Sequence, residues 1–200
     1  MAKLKLTKNE HKKQKDSLKM FQRYLPTLML KKQQLQMEIR TVELRVAKVG
    51  AEKVRLDEAF QKWIGVFCET GVFTADILHI TRLVVGEGNI AGVQIPLFEG
   101  AEFEIAPYDL VKKPLWLDLA VENMKKGLLL DLEIQCLEEQ RRRLEKELRT
   151  TSQRVNLFEK IKIPEAKTNI KKIAVYLGDQ QTAAVVRGKI SKRGMERASS

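Results

Sequence analysis

LKMFQRYLPTLMLKKQQLQMEIRTVELRVAKV, residues 18–49, repeats its apolar residues at alternating steps of three and four. Counted as a heptad, the a positions are Leu18, Leu25, Lys32, Ile39, Val46, Lys53 and Phe60. The d positions are Phe21, Leu28, Leu35, Val42, Val49, Leu56 and Trp63, so twelve of the fourteen are apolar. A stripe this narrow and this long is the signature of a helix that buries one seam against a partner helix. At 1.5 Å per residue, a helix from about residue 8 to 64 would be roughly 85 Å long.

A second seam follows in the C-terminal half: Trp116, Ala120, Asn123, Gly127, Leu130, Ile134, Leu137, Arg141, Leu144, Leu148, Thr151, Val155 and Phe158. Pro114 suits the first turn of that helix, where its missing N–H is no loss. After Phe158 the same register would require Lys162 and Glu165. The apolar residues instead return one position late, at Ile163, Ala166, Ile170, Ile173 and Leu177. One extra residue in a seam is absorbed by local unwinding, often a π-bulge. Pro164 falls at the same place, and a proline inside a helix removes a hydrogen bond and crowds the carbonyl four residues back. The sequence therefore predicts a bend near 160–164.

Between the two helices, ADILHITRLVVGEGNIAGVQIPLFEGAEFEIAPY is rich in β-branched residues and interrupted by Gly and Pro. ILHITRLVV and IAGVQIPLF read as two strands joined through Gly86–Asn89. Two long helices around a short insertion fold back antiparallel. The expected fold is mainly α: a long antiparallel two-helix coiled-coil hairpin with a small β-hairpin-containing middle. Its parts are a first helix over 1–64, a β middle over 65–113, a second helix over 114–190 and a disordered tail over 191–200.

Composition agrees with this layout. The chain of 200 residues is 44% hydrophobic, 32% charged and only 6% aromatic, with a net charge of +11. Few aromatics and many charges suit long helices with a narrow seam. Residues 1–15 carry six Lys against Glu10, net +5, and residues 185–200 carry five Lys or Arg against Glu196, net +4. Residues 65–113 carry seven acids against three basic residues, net −4. Both ends are basic and the centre is acidic, which in an antiparallel hairpin gives a rod with one basic tip.

The chemistry-bearing motifs are weak. GEGNIA fits the G-x-G-x-x-G/A dinucleotide pattern, but it leads into a strand where that motif needs a helix N-terminus. RGKIS at 187–191 lacks the first Gly and the Ser/Thr of a phosphate-binding loop. Glu138, Glu139, Glu145 and Glu147 stand among arginines at helical spacing, as solvated ion pairs do. Cys68 and Cys136 are isolated and only two histidines are present, so neither a metal site nor a catalytic triad is expected. No cofactor is expected. No stretch is long and apolar enough to span a membrane, and MAKLKLTKNEHKKQK has no signal-peptide core.

Three stretches resemble the D subunit of the V-type and archaeal-type rotary ATPases, the long central-stalk component. LTKNEHKKQKDSLKMFQRYLPTLMLKKQQLQMEI is similar to that family's basic opening helix. NIAGVQIP, residues 89–96 with Asn89, Gly92 and Pro96, is similar to its mid-chain N-x-x-G-V-x-I/V-P. VNLFEKIKIPEAKTNIKKI, residues 155–173, matches V-N-A-L-E-x-x-x-I-P-x-L-x-x-T-I-x-x-I at Asn156, Glu159, Ile163, Pro164, Ile170 and Ile173. It departs at Ala166, where the family has Leu, and in the order of Thr168 and Asn169; Pro26 has no obvious family counterpart.

The resemblance implies a noncatalytic rotor shaft on the cytoplasmic side of a membrane, peripheral to it. Its partners would be a hexamer of catalytic A and noncatalytic B subunits, the F subunit, and the C (or d) subunit above the membrane rotor ring. The shaft would couple ATP turnover to ion movement. Lys8, Lys12, Lys13, Lys15, Arg187, Lys189 and Lys192 would form a basic tip inside the hexamer, and the hairpin would face the rotor base. Read without the resemblance, the same residues also allow a basic nucleic-acid-binding arm or a self-associating coiled-coil scaffold.

Overall fold

The computed structural model describes residues 4–62, 65, 77–107, 114 and 116–198. The expected seam residue Trp63, together with Cys68 and the rest of 66–76 and 108–113, lies outside the described residues. The elements are α1 (Lys8–Gln61), β1 (Leu78–Ile90), β2 (Val93–Ile105) and α2 (Trp116–Asn156). A six-residue π-helical turn, Leu157–Lys162, and α3 (Ile163–Ala198) complete the chain. This is the mainly helical, hairpin-bearing fold that the heptads imply. It divides into two compact units, one from residues 32–149 and one from residues 1–31 with 150–200.

α1 opens where a Thr can cap it. The Thr7 hydroxyl accepts the Glu10 N–H at 3.3 Å, and the Thr7 carbonyl accepts the His11 N–H at 3.0 Å. The helix carries Pro26 without ending there. Its buried residues, Leu35, Ile39, Val42 and Val49, are all seam residues.

In the 32–149 unit those four pack with Leu137 and Leu144 of α2 and with Ile95 of β2. Ile90, Ala91 and Val93, around the hairpin turn, join the same cluster. The hairpin therefore lies against the helix pair as a third layer. A smaller cluster joins Ile77 and Leu78 to Trp116, Leu117 and Val121 at the start of α2. Leu117 and Val121 are not on the expected seam; they are buried because Ile77 and Leu78, at the start of the β segment, pack against this end of α2.

The hairpin turn is at Ala91–Gly92 rather than Gly86–Asn89. Both residues have positive φ, 51° and 80°, as a two-residue turn matching the strand twist requires. Gly92 takes that conformation at no steric cost, and the Asn89 side-chain oxygen accepts the Gly92 N–H at 2.9 Å. Gly86 and Gly88 are strand residues, paired with Leu97 and Ile95. Farther along, Val84 faces Gly100 but Val85 faces Phe98, so Glu99 is an extra residue in a bulge.

In the other unit, residues 8–31 of α1 pair with the end of α2, the π-turn and α3. Phe21 and Phe158 stack with ring centroids 5.3 Å apart. The burial after the π-turn follows the late seam: Ala166 and Ile173 are buried, and Ile163, Ile170 and Leu177 half-buried. α3 continues to Ala198, past the expected boundary at 190. Residues 191–198, SKRGMERA, contain only one helix-weakening residue, Gly194, so nothing local stops the helix.

Candidate functional site

A site for a mechanical or docking role is a set of surfaces, and these follow from how the seams pair. Leu18, Phe21, Leu25, Leu28 and Val46 are half-buried, as are Ile134, Leu148 and Phe158; Leu137, Leu144 and Val155 are buried. The seam residues thus line the inside of the helix pair in each unit. Charged residues pair across the two helices beside the seam. Lys53, at an a position of α1, forms an ion pair with Asp131 of α2. Its hydrogen bond to that carboxylate is the main cause of its raised pKa. Arg45 reaches Glu133 at 3.7 Å.

The hairpin is held to α2 along one edge. The Pro96 carbonyl accepts the Gln140 amide, with the Cys136 sulfur 3.5 Å away. The Gln94 carbonyl accepts from Arg143 at 3.2 Å. Position 96 points its backbone out of the ladder, so a proline there removes no strand bond. Gln140 is only 4% exposed, although the heptad does not single it out. Its signal in the sequence is faint: a lone Gln beside Leu137 and Leu144, at a spacing that places it next to the seam. Gly92 is in the turn described above, Asn89 braces it from β1, and Pro96 is half-buried.

Around the same contact, Glu139 binds Arg142 at 2.7 and 2.9 Å and Arg143 at 2.8 Å. The Arg142 hydrogen bonds, followed by the Arg143 one, lower its pKa to about 2. The Cys136 thiol is pushed up by burial and stays protonated at neutral pH. Neither group is tuned for nucleophilic or acid–base work. Among the described residues no cluster of three His, Cys, Asp or Glu could hold a metal ion. No described helix is long and apolar enough to cross a membrane.

At the π-turn the Ile163 N–H bonds the carbonyl of Phe158, five residues back. No residue of the turn is buried, and Asn156, Glu159 and Pro164 are exposed. The position of Pro164 is explained by this geometry. In an α-helix its ring would press on the Lys160 carbonyl; the wider π-turn displaces that carbonyl. A charged pair, Lys162 with Glu165 at 3.6 Å, spans the end of the turn.

The structure does not gather the seven basic residues at one place. All are exposed. Gln14 and Ser17 of α1 share a hollow with Glu165, Ala166 and Asn169 of α3, so continued antiparallel pairing puts Lys8 near the level of Ile173. Arg187 is fourteen residues beyond Ile173 (187 − 173), about 21 Å farther along the helix axis. Every described residue of α3 from Gly178 to Met195 is exposed, including Val185, Val186 and Ile190. Lys8, Lys12, Lys13 and Lys15 therefore flank the paired section, whereas Arg187, Lys189 and Lys192 stand on a helix that has outrun α1.

The comparisons with known proteins point one way. The sequence profile of a family described as the ATP synthase D subunit matches residues 10–193. A V-type ATP synthase D subunit from Borreliella burgdorferi is 52% identical over 195 residues, covering 98% of this chain and 96% of the relative. Proteins of the same name from Chlamydia muridarum and Chlamydia pneumoniae are 33% and 34% identical. They align with 98% and 96% of this chain, and with 97% and 93% of their own lengths.

Proposed function

The chain belongs to the D-subunit family of ATP synthases, and from that membership we propose that it is the central shaft of a V-type ATP synthase. It catalyses nothing itself and transmits torque between ATP turnover in a hexamer of A and B subunits and ion translocation across a membrane. The near-full-length similarity to proteins named as the D subunit of V-type ATP synthases carries the reading. The paired helices support it physically: two packed helices resist twisting and bending better than one, which is what a shaft needs.

The exposed end of α3 enters the hexamer, with Val185, Val186 and Ile190 as its apolar contacts and Arg187, Lys189 and Lys192 as its charges. Charges in such a contact orient and speed assembly more than they add affinity. The π-turn and Pro164 bend the α2–α3 segment, so the shaft is eccentric and favours different catalytic interfaces in different orientations. A shaft can bias those interfaces only through contacts that differ between states. The β hairpin and the adjoining helix ends face the rotor ring and the C (or d) subunit, and the F subunit binds the same unit. The assembly keeps the chain on the cytoplasmic side, peripheral to the membrane.

The test is a tagged pull-down from native lysate at moderate salt with nuclease present. Recovery of the A, B and F subunits with one copy of this chain per three A subunits is expected. Recovery of only RNA-linked proteins that vanish with nuclease would overturn the reading in favour of a nucleic-acid-binding arm. Pro164→Ala in the assembled complex is expected to lower the ion transport obtained per ATP hydrolysed; unchanged coupling removes the bend from the mechanism.

A further inference from the structure

The heptad spacing asks for a seam residue four positions after Phe158, yet the apolar seam resumes five positions on, at the half-buried Ile163. The chain therefore carries one residue more than its own packing needs. The π-turn Leu157–Lys162 is where that residue is stored. Its carbonyls are poorly served. A proline at 164 has no N–H to offer either Glu159, five residues back, or Lys160, four back.

The layers on both sides are tight. Thr151 and Val155 before the turn are 1% and 4% exposed, and Ala166 and Ile173 after it are 3% and 0% exposed. Within the turn, Leu157 and Ile161 are 40% and 54% exposed. The surplus residue also cannot migrate. Moving the π-turn toward the N-terminus would replace Val155 and Phe158 in the seam by Asn156 and Glu159, breaking the stack with Phe21. Moving it the other way would replace Ile163 and Ala166 by Lys162 and Glu165, and would require a donor that Pro164 lacks.

We infer that Leu157–Lys162 is a yielding joint: a trapped surplus residue, closed in by Phe158 on one side and Pro164 on the other, at which the helix opens locally while the flanking seams stay packed. Such local opening is confined to places with few buried contacts and exposed backbone bonds. The inference deepens the shaft reading, because it locates where the shaft gives under load, but its test uses the isolated full chain.

Amide hydrogen exchange separates the possibilities. In the wild-type chain, amides within 157–165 are expected to exchange at least about tenfold faster than those of 145–155 and 166–173. Deleting Ile161 restores four-residue spacing between Phe158 and the next seam residue without removing any seam residue. That deletion is expected to bring exchange in the segment to within about threefold of its flanks. Ile161→Ala keeps the residue count and is expected to retain the fast exchange. Uniform protection in the wild-type chain overturns the inference. So does fast exchange that survives the deletion, or fast exchange that Ile161→Ala abolishes. A failed pull-down with the A and B subunits would sink the shaft reading and leave these exchange results untouched.

Discussion

One helix, α1, passes through both units with the same heptad and is buried to two different depths. From Leu35 to Val49 four of its seam residues, Leu35, Ile39, Val42 and Val49, are buried, whereas Leu18, Phe21, Leu25 and Leu28 are only half-buried. The residue types hardly differ. What differs is the number of surfaces around the seam: in residues 32–149 the hairpin adds Ile90, Val93 and Ile95 to the two helices, whereas the described residues of the other unit include no strand. A bare two-helix pair leaves the flanks of its seam open to water, and burial scales with the area that a third layer removes. Along α1 the heptad thus dictates which residues face inward, and the third layer deepens their burial; on the facing helices of the other unit Thr151, Val155, Ala166 and Ile173 are buried without it.

Truncating equally buried side chains in the two units tests this most severely. Leu144 and Ile173 are both 0% exposed, but a cavity in a three-layered core collapses less readily. Leu144→Ala is expected to cost about 3 kcal/mol and Ile173→Ala about half of that. Urea unfolding measures both, and equal losses would break the comparison. The attachment of the third layer gives the next effect. Gln140→Leu removes the amide that serves the half-buried Pro96 carbonyl, at an expected cost of about 1–2 kcal/mol. The loss should come with faster amide exchange in β2 but not in α3.

The Glu139 cluster gives a smaller, pH-dependent effect. Its folded-state pKa, about 2, lies below the ordinary Glu value of about 4.3. The stabilisation from its arginines is therefore full above about pH 4.3 and is lost as pH falls toward about 2. The wild-type urea midpoint should drop more across that window than that of Glu139→Gln. Parallel curves would show that these exposed pairs contribute nothing, as many surface pairs do. Smallest of all, Ile190→Ala on the exposed end of α3 is expected to change stability by less than about 0.5 kcal/mol. A larger loss would mean that the α3 end is packed in the free chain.

The two long seams, their antiparallel return and the slip after Phe158 were legible because they rest on spacing along a single helix. Spacing is set by backbone geometry at 3.6 residues per turn, whatever lies nearby. The three family-like stretches were legible for a similar reason, since they are contiguous strings. The hairpin was legible as two strands, but its turn was displaced: GEGN looks like the stronger turn signal by composition. The turn formed instead at Ala91–Gly92, where Asn89 supplies a side-chain acceptor and Gly92 a positive φ.

From the sequence alone come the helix pair, its seam, the surplus residue beside Pro164 and the polarity of charge. The tertiary structure alone decided that Leu117, Val121 and Gln140 are buried, that the hairpin caps one stretch of the seam, and that α3 outruns α1. It also decided that Lys8 and Arg187 belong to different levels of their unit. The physical reason is the range over which each feature is determined. Periodicity is a property of neighbours in the chain, whereas burial, pairing level and the separation of two charged clusters depend on which distant segments meet.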